Sequence, residues 1–215
     1  MSAGCGTRDL AILVADDTMR LVVSAGIENW LTKPGVSPMT YSLLTSPTKD
    51  AGVLLRAHET LRPLCRTHRF AAAVFDYHGC GAEHQLTTEQ AAARVQALME
   101  QNGWRNRAKA ICIDPELERW VICTHARLEK ELGQSSRWVR TTLASAGYDP
   151  DKEGKLADPK SAWEELLRKA RKRKSAALLA NLASRLPLER CLDPAFQELA
   201  QFIKQCADSP LPHPQ

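Results

Sequence analysis

The chain has 215 residues, of which 44% are hydrophobic and 25% charged, and a net charge of +4. This balance excludes a disordered polyelectrolyte, and the length suffices for one substantial core with an appended subdomain. No apolar run approaches the roughly 20 residues of a spanning helix, and residues 1–7 lack the basic region and apolar run of a secretory leader, so the expectation is a cytoplasmic protein with no membrane partner.

Residues 10–15 form an apolar run that ends in Asp16-Asp17, and apolar positions at helical spacing follow over 18–31. This predicts a strand feeding a helix. A second strand is predicted over 39–45 and a second helix over 50–68, interrupted near Pro63. The wholly apolar stretch 70–75 predicts a third strand that stops at Asp76. A turn carrying His78-Gly79-Cys80-Gly81 follows, then a helix over 88–102 and a fourth strand over 108–113. Strands alternating with helices predict an α/β fold with a mainly parallel sheet flanked by helices.

Beyond Ile113 the pattern turns helical. Asp114-Pro115, Asp158-Pro159 and Asp193-Pro194 each pair a capping aspartate with a proline suited to the first helical position, the first opening a helix through about residue 132. The domain expectation is an α/β domain over 8–132, a helical subdomain over 133–207 and a flexible tail over 208–215, with a linker near 147–158. Seven cysteines without a C-x-x-C pair argue against a disulfide framework and read as reduced thiols.

Acids follow three of the predicted strands. Asp16 and Asp17 follow the first, Asp76 the third, and Asp114, Glu116 and Glu118 the fourth. In an open parallel sheet the carboxyl ends of the strands share one edge, so these carboxylates are expected to converge there. Oxygen ligands of this kind suit magnesium or manganese and the hydrolysis of phosphodiesters. Asp16, Asp17, Asp76, Asp114 and Glu116 are the candidate metal ligands, and Asp76, Glu116, Glu118 and His78 the candidate catalytic groups. Taken singly, Asp16 and Asp114 are also explained as helix caps, and Glu116 and Glu118 as dipole-complementing acids of a first turn.

Arg168, Lys169, Arg171, Lys172, Arg173 and Lys174 are nearly contiguous and form the candidate contact to a DNA or RNA backbone; a solvated helix end explains them equally well. The loop His78-Gly79-Cys80-Gly81 offers amides to an anion, or simply a turn. His78, Cys80, His84, Cys123 and His125 match no common zinc spacing. Trp104, Trp120, Trp138 and Trp163 read as core rather than as base-stacking platforms.

Three segments together carry a resemblance. The strand and acids over 11–17, Ala73-Val74-Phe75-Asp76-Tyr77-His78-Gly79-Cys80-Gly81, and Ile111-Cys112-Ile113-Asp114-Pro115-Glu116-Leu117-Glu118-Arg119-Trp120 resemble a Toprim-like family of bacterial phage-defence loci. The Asp-x-x-Gly-Cys-Gly loop and Arg190-Cys191-Leu192-Asp193-Pro194-Ala195-Phe196 are similar to the small component of methylation-associated defence systems. The resemblance implies a Toprim-like fold, a magnesium-dependent nuclease subunit and partner subunits of a defence complex. It also implies a glutamate after the first strand and an Asp-x-Asp pair after another. Here Asp16-Asp17 stands at the first position, and His78 stands two residues after Asp76. The alternative expectation is a non-catalytic nucleic-acid-binding or adaptor subunit with a degenerate metal site. A hydrolase of small phosphate esters is the third.

Overall fold

The computed structural model describes residues 8–32, 35–122, 125–149, 156–185, 191 and 193–209. The α/β expectation holds. Strands β1 (Arg8–Val14), β2 (Tyr41–Thr45), β3 (His68–Asp76) and β4 (Ala108–Ile113) form a four-stranded, all-parallel sheet in the order β2-β1-β3-β4. The register pairs Val14 with both Thr45 and Val74, and Asp76 with Ile113. Central strand β1 is buried from Leu10 to Val14, and β3 from Ala71 to Phe75. Their uninterrupted apolar runs reflect a sheet covered on both faces.

Helix α1 (Asp17–Leu31) joins β1 to β2, α2 (Lys49–Leu61) joins β2 to β3, and α3 (Thr88–Met99) joins β3 to β4. The chain moves one way along the sheet through α1 and the other way through α2 and α3. Right-handed crossovers therefore put α1 on one face and the other two on the opposite face. Met19, Val22, Val23 and Ile27 supply the buried stripe of α1, and Val53, Leu54, Ala57 and Leu61 that of α2.

Beyond β4 the described residues are helical: α4 (Glu118–Ile122), α5 (His125–Leu132), α6 (Trp138–Ser145), α7 (Pro159–Lys169), α8 (Ala176–Ala183) and α9 (Pro194–Asp208). Helix α8 packs on α1, and α9 packs on β4 and β1. Phe202 of α9 meets Phe70 of β3 edge-on, with ring centroids 6.2 Å apart. Trp104, Trp120 and Trp163 are almost wholly buried, as core residues. No helix among the described residues is long and apolar enough to cross a membrane.

Strand β2 begins at Tyr41 rather than at 39, α3 ends at Met99 rather than at 102, and two larger differences have physical reasons. The second helix ends at Leu61, a single 3-10 turn over Arg62–Arg66 carries Pro63, and β3 already begins at His68. No helix starts at Asp114-Pro115, whose peptide bond is cis. Instead the β4 strand keeps bonding to the β3 exit, as Tyr77 N–H donates to the Ile113 carbonyl at 2.8 Å and His78 N–H to that of Pro115 at 3.0 Å. Backbone groups engaged this way are not free to open a helix, and α4 begins only at Glu118. The other two aspartate-proline pairs do cap helices: Asp158 accepts from Ser161 N–H at 2.8 Å and Asp193 from Phe196 N–H at 3.1 Å. Half of the linker, from 150 to 155, and the tail from 210 lie outside the described residues.

Candidate functional site

The strand order reverses between β1 and β3, so the crevice beyond their carboxyl ends is where side chains from separate connections meet. Asp76, the last residue of β3, stands at its centre. Its Oδ1 is sealed from solvent and has no hydrogen-bond partner, while Leu117 N–H reaches the same carboxylate. Burial pushes this carboxyl well above the usual range, and the fields of Asp50, Glu118 and Glu116 push it further.

Asp50 comes from the first turn of α2. Its Oδ1 accepts the Asp76 backbone N–H at 2.8 Å, which ties the start of α2 to the end of β3. Burial raises the Asp50 carboxyl, Asp76 N–H offsets part of that, Asp16 adds to it, and Lys160 opposes it. Gly79, at φ 97, lies beside this carboxylate, where a Cβ would be in ordinary contact at 3.5 Å from Asp50 Oδ2.

Glu116 and Glu118 are both buried on the turn from β4 into α4. Burial lifts the Glu116 carboxyl, Lys160 opposes this, and Glu118 adds to it. Glu116 Oε2 accepts Lys160 N–H at 3.3 Å, and Lys160 Nζ lies 3.8 Å from its Oε1.

The structure thus brings Asp76, Glu116 and Glu118 into one electrostatic cluster with Asp50, and sets Asp16 beside Asp50. Asp16 also caps α1, accepting from Met19 N–H at 2.9 Å. Asp17 is not part of the cluster's inner edge: its side chain is 78% exposed and pairs with Arg20 at 2.9 Å. The field of Asp114 reaches Tyr77 and Cys112, and its carbonyl accepts from Arg119 at 2.9 Å. His78 is exposed, and its field lowers the Glu116 and Asp158 carboxyls.

The loop after Asp76 is locked by its own residues. Gly79 N–H donates to Glu83 Oε1 at 2.6 Å, so a carboxylate of this chain already takes the amide that an anion would use. The Tyr77 hydroxyl lies 2.9 Å and 2.7 Å from the carbonyls of Glu83 and Leu86. Burial pushes the Cys80 thiol up, which disfavours the thiolate a nucleophile needs. Of the five residues weighed for zinc, Cys123 and the side chain of His125 lie outside the described residues.

In the basic run, Arg168 grips Glu165 with two bonds of 2.7 Å, Lys169 lies 4.0 Å from Glu165, and Lys174 pairs with Glu164 at 2.6 Å. Arg171, Lys172 and Arg173 are exposed and carry no ion pair among the described residues.

Clustered carboxylates and one sealed, unpartnered oxygen have the donor chemistry of a site for a hard divalent cation. Among the described residues, however, no three histidine, cysteine, aspartate or glutamate side chains are arranged as a ready ligand set. The donor type fits magnesium or manganese, while the cage is not pre-assembled. Asp76, Asp50, Glu116 and Glu118 would hold such an ion, which would supply Lewis acidity toward a phosphate oxygen.

Protein-family models, curated proteins and solved structures yield no match to this chain. Two residues of the crevice went unmarked in the sequence. Asp50 lies five positions beyond the end of β2, so acids follow all four strands. Lys160 sits behind the Asp158-Pro159 cap, a signal that marks a helix start without revealing what the helix faces.

Proposed function

We infer that this chain is a Toprim-like component of a bacterial phage-defence system, whose acidic crevice takes a magnesium or manganese ion and acts on nucleic acid. The observation that carries this conclusion is Asp76 Oδ1, sealed and unpartnered beside Asp50, Glu116 and Glu118. A buried carboxylate oxygen without a partner costs free energy unless a proton or cation neutralises it. A divalent cation does so in a form that also binds phosphate oxygens. The parallel sheet between helices, with acids past its carboxyl edge, agrees with the resemblance carried by residues 73–81 and 111–120.

In this conclusion Asp76 is the central ligand and Asp50, Glu116 and Glu118 are its partner acids. His78, exposed beside Glu116, orients a phosphate or carries a proton. Arg171, Lys172 and Arg173 follow a DNA or RNA backbone. Manganese titration by calorimetry, run beside cleavage assays on plasmid, single-stranded DNA and RNA, tests the conclusion. The unmodified chain should bind manganese and cut at least one substrate. Asp76→Asn should lower manganese affinity at least about tenfold and abolish cutting. Its melting temperature should equal or exceed that of the unmodified chain, because an amide ends the like-charge repulsion. Failure of the unmodified chain to bind manganese would defeat the conclusion.

A second reading, a non-catalytic adaptor of a defence complex, is favoured by the lack of a ready three-ligand set. It predicts nucleic-acid binding that is indifferent to manganese and unaccompanied by cleavage.

A further inference from the structure

The acid cluster is met by one turn of the C-terminal helical region. Asp158 caps α7 and Pro159 is buried at its first position, so the backbone of this turn is fixed against the crevice. From that fixed turn Lys160 engages Glu116 twice, through its backbone N–H at 3.3 Å and through Nζ at 3.8 Å. Its positive charge also reaches Asp50, whose Oδ1 accepts the Asp76 backbone N–H. The Lys160 side chain is 54% exposed and that of Glu116 only 12% exposed. The ammonium therefore stands on the solvent side of Glu116, on a flexible stem. The cluster's need for positive charge is independently marked by the sealed Asp76 Oδ1.

We propose that Lys160 is a tethered counter-ion that competes with a divalent cation for the acid cluster, making the first turn of α7 an autoinhibitory latch on the crevice. The proposal rests on the conclusion that the cluster is a cation site. A lysine held there partly neutralises the acids while no ion is bound, and repels an approaching dication. Occupation by the ion requires the ammonium to swing outward, and a solvent-exposed stem permits that without moving the helix. The ammonium acts on Glu116 from the β4 exit, Asp50 from α2 and Asp158 from the cap of α7 itself, while Asp76 from β3, Glu118 and, from the loop after β3, His78 are the further charged groups of the cluster that an incoming ion meets.

The test is manganese binding by the full chain, followed by calorimetry or by the loss of the free-ion paramagnetic resonance signal. Lys160→Gln removes the charge but keeps the backbone N–H and much of the stem, whereas Lys160→Arg keeps the charge. An exposed ion pair is worth up to about 1 kcal/mol, so Lys160→Gln should tighten manganese binding about two- to fivefold. Lys160→Arg should bind as the unmodified chain does, and both variants should melt within about 2 °C of it, as substitutions at a half-exposed position do. If the unmodified chain binds manganese and Lys160→Gln binds it no more tightly, the latch is refuted while the cation site stands. If Lys160→Gln binds it less tightly, the lysine aids the site rather than competing with the ion, and the latch is again refuted. If neither chain binds manganese, the cation site itself fails and the latch with it.

Discussion

Asp9 is held by three bonds at the amino edge of the sheet, opposite the acidic crevice. Thr40 donates to its Oδ2 through N–H at 2.8 Å and through Oγ1 at 2.9 Å, and Arg69 Nη1 donates to its Oδ1 at 2.8 Å. Burial alone would raise the Asp9 carboxyl; the Thr40 and Arg69 bonds outweigh it and hold the carboxyl below its ordinary range. A carboxyl depressed in the folded state stabilises the fold above its unfolded value of about 3.9, and that contribution disappears as pH falls through the folded value. Asp9→Asn should therefore cost about 2 kcal/mol near neutrality. The gap in melting temperature to the unmodified chain should close below about pH 4. Thermal melts over a pH series read this directly, and a gap independent of pH would remove the ionised carboxylate as its cause. Individual residues were unequally legible in the sequence. Asp76 was conspicuous because an apolar strand stops at it, whereas Asp50, which bonds to it, reads on its own as an ordinary first-turn acid.

One of the contacts between the C-terminal helices and the rest of the fold centres on a buried aspartate. Asp193 Oδ1 accepts the Trp120 indole N–H at 2.9 Å and the Phe196 backbone N–H at 3.1 Å, while Oδ2 pairs with Arg119 Nε at 2.9 Å. The Trp120 and Phe196 rings stack edge to face beside it, with centroids 5.0 Å apart. Two stretches that looked distinctive in the sequence, Glu118-Arg119-Trp120 and Asp193-Pro194-Ala195-Phe196, are thus halves of one contact, and their distinctiveness has a packing explanation. Asp193→Ala removes the α9 cap, the acceptor 2.9 Å from the Trp120 indole N–H, and the carboxylate that pairs with Arg119. Breaking a buried pair from one side costs about 3–5 kcal/mol, enough to unfold a marginal domain. Chemical denaturation should show that loss for Asp193→Ala and a smaller one for Asp193→Asn, which keeps an oxygen for the cap and the indole. Equal losses would mean that the charge, rather than the bonds to the cap and the indole, carries the contact. Elements were mostly legible because period and apolar content decide them: β4 was expected over 108–113 and lies there. The misreading at Asp114-Pro115 arose because a cap signal is local, whereas the β4 exit is held by amides of Tyr77 and His78, remote in sequence.

At the scale of the whole molecule, charge is divided between two surfaces. The acids gather at the carboxyl edge of the sheet, and the cations gather at the end of α7, the helix whose first turn carries Lys160 into the crevice. The two surfaces are therefore joined by one helix, from Pro159 to Lys169. Parallel strand order was legible as alternation in the sequence, but this connection was not, because nothing in a cap signal reports the distant surface that a helix covers. The sequence also presented residues 168–174 as one continuous run, and the structure divides it. Arg168, Lys169 and Lys174 are engaged by Glu164 and Glu165, whereas Arg171, Lys172 and Arg173 are exposed and without ion pairs among the described residues. A cation already matched to a carboxylate releases fewer counterions from a nucleic acid than a free one. If this surface binds duplex DNA, replacing Arg171, Lys172 and Arg173 together with glutamine should reduce the slope of log affinity against log salt by about 2 to 3, each phosphate contact contributing about 0.9. The loss should be similar for unrelated sequences, since backbone contacts carry no base information. Replacing Arg168, Lys169 and Lys174 instead should change the slope less, although the charge removed is the same. Filter-binding or anisotropy titrations at several salt concentrations separate the two triples. Equal effects would mean that the ion pairs with Glu164 and Glu165 do not withhold charge from the ligand, and no effect from either would make the run a solvated helix end.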